Sequence, residues 1–274
     1  MGFLKKRMEK RGRRAGLKVR KAQITLYIII AIIIVAVVLL FFFWKSIRTT
    51  FTEVSPEDYI KNCIRDSARD ALNITSRSGG SINPGNYVLF GGEKIEYLCY
   101  TNEYYKTCSM QQPLLIEHIE SEIEGYSQAR TAECLQTFKR EYEQRGYSIS
   151  IGSLKEEVSL QPGRMDITIN APISITKEAT SSYNEFASSV NTKLYDMAVI
   201  STSILNWEAR YGDSETTTYM NYFPDYKVDK LRQDDGTKIY ILTERDTGES
   251  FKFATRSIAW PAGYSIGELN VPLR

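Results

Sequence analysis

The longest apolar run of the chain, Ile24–Trp44, contains 21 consecutive residues without a charged side chain. A helix needs about 20 such residues to cross a hydrocarbon core of ~30 Å at 1.5 Å per residue. The alternative is a helix buried in a protein core. Residues 5–21 favour the membrane, because they contain ten Lys or Arg residues and one acid, Glu9. We therefore predict a transmembrane helix over residues 24–44.

After this run the apolar residues first recur at helical spacing. Ser55-Pro56-Glu57-Asp58 is a typical helix start, with an N-cap, a first-turn proline and two acids near the helix dipole. Gly79-Gly80 should end this helix, and two short apolar runs around Gly91-Gly92 predict a hairpin. A second helix is expected from Pro113 and a further one around Cys134, with a break at Gly125 between them.

From Tyr147 the apolar period changes to two, which is typical of half-buried strands. The clearest strand runs from Met165 to Ile175, and a long helix is expected over about residues 191–211. The chain then returns to strands at 226–231, 238–244 and 250–256, which predict a three-stranded antiparallel tail. The predicted fold class is α+β, with helices packed on antiparallel strands and attached to one N-terminal transmembrane helix.

These patterns divide the chain into five parts. Residues 1–23 are a basic leader, 24–44 the transmembrane signal anchor and 45–54 a juxtamembrane linker. Residues 55–146 are a helical part containing all four cysteines, and 147–274 are a strand-rich part with one long helix.

Charge then sets the expected orientation. The basic leader should stay in the cytoplasm and direct residues 49–274 to the outside, as a single-pass protein of the cell membrane. Residues 49–274 contain 23 basic and 32 acidic residues. An acidic outer domain excludes nucleic acid as the expected partner, because phosphate binding needs a basic surface. The expected partners are the lipid bilayer and other surface proteins or like subunits.

The junction around Ala22 and Gln23 resembles the class III, type IV pilin-like signals of archaeal surface proteins. In those signals a charged leader ends in a small residue and cleavage falls just before a glutamine. Tyr27 departs from the pattern, since many members of that class carry Glu at the fifth mature position. The resemblance implies processing between Ala22 and Gln23, whereas an apolar region this long without small residues at its exit favours an uncut anchor.

The even number of cysteines outside the predicted span indicates two disulfide bonds rather than a zinc site, which usually needs close Cys pairs and His partners. Cys63 and Cys134 each face inward on a helix, and Cys99 and Cys108 bracket a short loop. The favoured pairing is therefore Cys63–Cys134 with Cys99–Cys108. Asn73 begins a glycosylation sequon on the predicted outer side.

Catalytic chemistry is not evident from the sequence. His118 is the single histidine and lies among acids on a predicted helix, where a solvated helix face explains it. We expect no catalytic, metal or cofactor-binding residues and no cofactor. Tyr104-Tyr105 can be a recognition surface, although core packing or simple loop composition is an alternative.

The order of elements resembles a family of uncharacterised archaeal single-pass surface proteins. The similarity rests on the basic leader, Gln23-x-Thr25-Leu26, Asn62-Cys63-Ile64, Cys134-Leu135 and the closing strand 251–256. It implies a membrane-anchored outer domain and no known catalytic residues. Three functions remain open: a surface or envelope protein that displays a structural or binding domain, a type IV pilin-like filament subunit, and a carboxylate-dependent ectoenzyme.

Overall fold

The computed structural model describes residues 27–39 and 55–259. The chain divides into two compact units, residues 1–54 and 55–274. In the first unit, residues 27–39 form a helix, α1, whose apolar side chains are all exposed. Within the described ranges no helix is long and apolar enough to cross a membrane. The other residues of the predicted span 24–44 lie outside these ranges.

The second unit begins with the predicted helix. Helix α2 spans Pro56–Ser78, and the Ser55 side chain accepts a hydrogen bond from the Asp58 backbone N at 3.1 Å. Gly79 caps the C-terminal end with φ +89°, a conformation that glycine adopts without strain. The start and stop signals of this helix are both confirmed.

Helix α3 spans Leu115–Glu143 without interruption, so the predicted break at Gly125 is wrong. A glycine in a helix costs only about 1 kcal/mol relative to alanine. The helix buries Ile119 and Ile123 before Gly125, and Leu135 and Phe138 after it. Burial of these side chains on one continuous helix face outweighs the lower helix propensity of one exposed glycine.

A six-stranded sheet joins residues from both ends of the unit. Its central order is β1-β2-β10-β9-β8, and β3 also pairs with β2. The strands are β1 Tyr87–Phe90, β2 Glu93–Tyr100, β3 Ser109–Met110, β8 Tyr226–Arg232, β9 Thr237–Glu244 and β10 Ser250–Arg256. The predicted hairpin and three-stranded antiparallel tail are confirmed. The sheet is nevertheless mixed rather than purely antiparallel, because β10 pairs with β2 in parallel.

The second sheet has four antiparallel strands: β4 Ser148–Ile151, β5 Lys155–Gln161, β6 Arg164–Thr176 and β7 Thr180–Asn191. Strands β4 and β5 follow one another along one edge of β6, and β7 pairs along the other edge. Strand β7 was not predicted, because its apolar residues do not alternate. Asn191 ends this strand, and the next helix therefore begins at Leu194 instead.

Helix α4 spans Leu194–Tyr211, and a short helix that was not predicted, α5, spans Thr216–Tyr222. Helices α2 and α4 pack against strands of the six-stranded sheet, while α3 packs on β4 and β5. Helix α2 also contacts β7 and α3, so one apolar core runs through both sheets and all three long helices. The α+β prediction is confirmed. The predicted parts 55–146 and 147–274 share this core.

Candidate functional site: the tyrosine loop

The β2–β3 connection forms a closed loop at one end of the six-stranded sheet. We call residues 101–108 the tyrosine loop. The disulfide Cys99–Cys108 joins strand β2, just before the loop, to the last residue of the loop, with 5.3 Å between the Cα atoms. A short loop closed in this way has few alternative conformations.

Backbone hydrogen bonds hold the tyrosine loop against the segment that follows β10. Residues 256–258 supply its partners: Thr101 N to Arg256 O at 3.0 Å, Tyr105 N to Ile258 O at 2.7 Å, Ile258 N to Lys106 O at 3.2 Å and Cys108 N to Ser257 Oγ at 3.1 Å. The backbone of this loop is therefore fixed at both ends and in the middle.

Two aromatic side chains project from this fixed backbone. Tyr104 is 71% exposed and Tyr105 75% exposed, so the core-packing alternative for them is wrong. Tyr105 has φ +61°, which is uncommon for a residue other than glycine. Such a conformation costs of order 1–3 kcal/mol and persists where the surroundings impose it. A rigid loop that exposes tyrosines loses little entropy on binding, which makes it a suitable recognition surface.

The second disulfide lies in the helical core. Cys63 on α2 and Cys134 on α3 are bonded, with 5.8 Å between their Cα atoms. All four cysteines are therefore in disulfides, and the favoured pairing of the sequence analysis is the one found. The zinc alternative is wrong, because no thiol is left to bind a metal.

His118 lies in a polar cluster that the sequence did not reveal. Ser81 Oγ donates to Glu96 Oε2 and lies 2.8 Å from His118 Nε2. Glu96 thus contacts the serine hydroxyl, and the imidazole contacts the same hydroxyl from its Nε2 atom. In a Ser-His-acid triad the acid holds the imidazole, whereas here the acid is hydrogen-bonded to the serine. The cluster therefore lacks the arrangement of an activated nucleophile.

The same cluster fixes the turn after α2. Glu122 on α3 accepts from the Ile82 backbone N at 2.7 Å. At Gly79 an added Cβ would lie 2.7 Å from the Cβ of Glu96, so only glycine fits this close approach. Burial raises the pKa of Glu96, while its bond with Ser81 opposes this shift. These contacts join α2, β2 and α3 and have a structural role.

Two further carboxylates are buried on other elements. Glu156 on β5 is fully buried; it accepts from Ser127 Oγ, and burial raises its pKa to about 7. Its Oε2 atom has no hydrogen-bond partner in the described part of the chain. This carboxyl group is therefore neutral below about pH 7 and ionises above it.

Glu208, on α4, is the second of these carboxylates, and both of its carboxylate oxygens accept hydrogen bonds. It accepts from Lys238 Nζ at 2.6 Å and from the hydroxyl of Tyr240. Burial raises the pKa of Glu208, and the Lys238 ammonium opposes the shift. Lys238 also donates to Gly212 O, which ties the end of α4 to β9.

A cleft of about 560 Å³ lies between α3 and the β4–β5 connection. Its lining consists of small, amide and aliphatic side chains: Gly125, Gln128, Ala129, Ala132, Leu135, Gln136, Ile151, Gly152 and Leu154. None of these can donate or accept a proton in acid–base catalysis. Among the described residues no group of three His, Cys, Asp or Glu is placed to hold a metal ion.

The remaining predicted sites fall in different places. Asn73 is exposed, but its sequon lies inside α2 rather than in a loop, and the Thr75 hydroxyl is buried and bonds to Ala71 O and Leu72 O. Glycosylation at Asn73 remains a prediction. Ala22 and Gln23 lie outside the described residues. Processing between them therefore remains a prediction.

No protein-family model, no curated protein and no solved structure matches this chain. The functional argument therefore rests on the residues and their geometry. Sequence reasoning singled out the tyrosine pair and the cysteines around it. It missed the Ser81–His118–Glu96 cluster, because 37 residues separate Ser81 from His118 and no short motif joins them.

Proposed function

We propose that this protein is a membrane-anchored, extracytoplasmic surface protein that displays a disulfide-linked binding domain. The anchor is supported by the apolar run 24–44 and the basic residues before it. The outer location is supported by the two disulfides, since such bonds persist in oxidising compartments.

The observation that carries the binding role is the tyrosine loop. Two tyrosines more than 70% exposed stand on a backbone fixed by a disulfide and by hydrogen bonds to residues 256–258. Neither tyrosine ring is buried in the core, so neither contributes to its packing. A recognition surface gains contact area at low entropic cost.

Orientation is tested with epitope tags on the two termini of the full chain. On intact cells an antibody should reach only the C-terminal tag, and the N-terminal tag should be stained after permeabilisation. Exchanging the ten basic leader residues for serine should abolish this difference in staining between the two tags, because those charges set the orientation. Staining of the N-terminal tag alone on intact cells would refute the proposal.

Recognition is tested by placing a photo-crosslinking amino acid at Tyr104. Irradiation of intact cells should give covalent adducts at this position. The control position is Tyr222, a tyrosine 78% exposed at the end of α5. Equal yields of adducts at the two positions, or none at Tyr104, would contradict a recognition role for the loop.

A pilin-like subunit is the second candidate, favoured by Ala22-Gln23 and by the exposed apolar helix at residues 27–39. In that case the apolar helices of many subunits would pack together after cleavage of the leader. Mass spectrometry of the mature N-terminus separates the two candidates. A chain beginning at Gln23 supports the pilin-like subunit, and an intact leader supports the anchored surface protein.

A further inference from the structure

Gly125 lies inside helix α3, where a glycine lowers helix stability relative to alanine. Close packing does not require this glycine. In the described part of the chain, a Cβ atom added here meets no heavy atom outside the adjoining helix backbone within 4 Å. The missing side chain instead leaves space in the cleft between α3 and the β4–β5 connection, which Gly125 lines. Glycine at this position therefore keeps the cleft open at the expense of helix stability.

The cleft has the size and the lining of a small-molecule site. Its volume of about 560 Å³ lies within the ~300–1,000 Å³ that is typical of such sites. Leu135, Ile151 and Leu154 supply aliphatic surface, and two glutamines supply amides. No charged residue belongs to the lining that the structure describes. A charged ligand would lose hydration here without gaining a counter-ion from the lining, so the cleft favours a neutral ligand with an aliphatic body.

Two buried polar atoms next to this lining, Thr131 Oγ1 and Glu156 Oε2, have no hydrogen-bond partner among the described residues. Thr131 follows the lining residue Gln128 by about one turn of α3, so the two share a helix face. Glu156 follows the lining residue Leu154 by two positions, and its other oxygen accepts from Ser127 Oγ. Buried polar atoms usually have a partner, so two exceptions side by side indicate a missing one.

The two atoms belong to groups that face each other. Burial raises the pKa of Glu156, and the hydroxyls of Ser127 and Thr131 oppose this shift, which places both hydroxyls close to the carboxyl group. A single hydroxyl between Thr131 and Glu156 can donate one hydrogen bond and accept another, so it satisfies both atoms. An ammonium group has no acceptor, and a carboxylate has no donor.

We propose that this cleft binds a neutral small molecule with an aliphatic body and a hydroxyl group. The hydroxyl lies between Thr131 Oγ1 and Glu156 Oε2, and the body packs against the aliphatic side chains of the lining. The Gln128 amide donates to Leu154 O at 3.1 Å across the cleft, and rotation of this side chain opens the way to the two buried atoms. This binding is additional to recognition by the tyrosine loop and independent of membrane orientation.

Photolabelling of the purified full chain in detergent tests the proposal. The probe is an octanol with a diazirine in its alkyl chain, and the control probe is its methyl ether, which cannot donate a hydrogen bond. Peptide mass spectrometry after irradiation should place the adducts of the alcohol on residues 125–136 and 151–154. An excess of octanol should suppress them. The ether should label these residues about two- to tenfold less, as expected for the loss of one hydrogen bond.

Gly125→Leu closes the cleft without endangering the fold, because leucine has open space at this position and favours a helix. This variant should lose the competed labelling, whereas Gly125→Ala, which adds only a methyl group, should retain most of it. Thr131→Val keeps the shape of the side chain without the hydroxyl and should reduce labelling by the alcohol about two- to tenfold. Thr137→Val is its control, since the Thr137 hydroxyl bonds to Glu133 O on the same helix.

Labelling of the cleft that persists in Gly125→Leu would overturn the proposal. Equal labelling by the alcohol and the ether would overturn it as well, as would equal losses in the two threonine variants or the absence of competed adducts in the cleft. Adducts at the tyrosine loop, or a changed orientation of the chain, have no bearing on these results. Failure of this inference is therefore distinct from failure of the proposed function.

Discussion

Neighbouring residues on β10 have opposite environments. Phe251 and Phe253 are fully buried, and the ring of Phe253 stacks on Tyr240 with 5.1 Å between centroids. Lys252 lies between them on the other face, 2.6 Å from Glu93 in a partly exposed ion pair. The predicted facing of this strand is therefore confirmed.

We expect Phe253→Ala to lower the free energy of unfolding by about 3–5 kcal/mol, because it leaves a cavity beside Tyr240. Lys252→Ala is the matched control and should cost about 1 kcal/mol or less, as is usual for an exposed ion pair. Denaturant titration of each variant measures both values. A larger loss for Lys252→Ala would contradict the packing described for this strand.

Glu156 predicts a pH dependence of stability. The folded protein holds the proton of this carboxyl until about pH 7, whereas the unfolded chain releases it near pH 4–5. The folded form therefore loses stability as the pH rises through this interval, by up to about 3 kcal/mol at 1.4 kcal/mol per pH unit.

Glu156→Gln imitates the neutral carboxyl and should remove this loss. The variant should match the original chain near pH 4.5 and be more stable than it at pH 8. Glu157→Gln is the control, on the exposed face of the same strand. Urea titrations at the two pH values give the comparison, and an unaltered pH profile in Glu156→Gln would contradict the assignment.

At the scale of elements, the two disulfides constrain very different lengths of chain. Cys63–Cys134 closes a loop with a sequence separation of 71 between α2 and α3, and Cys99–Cys108 closes one of 9. In the chain-entropy model the longer closure contributes about 4 kcal/mol or more and the shorter about 2–3.

Replacing Cys63 and Cys134 together with serine should therefore lower the melting temperature more than replacing Cys99 and Cys108. Differential scanning calorimetry of the two double variants tests this order. The second variant should also change photo-crosslinking at Tyr104, because the tyrosine loop loses its closure. The reverse order of melting temperatures would show that strain or packing dominates over chain entropy.

The elements themselves were largely predictable where the signal is local. The caps of α2, the hairpin at Gly91-Gly92 and the strands β6, β9 and β10 follow from turn residues and periodicity. Strand β7 and the continuity of α3 do not follow from such local signals. Pairing with β6 and burial against the core determine both, and these contacts join residues distant in the sequence.

At the scale of the whole molecule, the parallel pairing of β10 with β2 joins the helical and strand-rich parts. Helix α2 strengthens this connection, since it packs on both sheets. We expect residues 55–259 to unfold in a single cooperative transition with the disulfides intact. Far-UV and near-UV circular dichroism should give coincident denaturation curves, and two separated transitions would contradict the shared core.

The sequence by itself determined the properties that depend on composition and short-range order. These are the apolar run with its basic flank, the acidic composition of residues 49–274, the two disulfides and the α+β class. Tertiary structure alone decided the mixed sheet, the Ser81–His118–Glu96 cluster, the unpaired edge of β7 and the exposure of Tyr104 and Tyr105. The physical reason is that a helix cap, a turn or an alternating strand depends on residues that are close together in the sequence. A parallel pair, a buried carboxyl or an unpaired edge depends on which distant segments come to lie side by side.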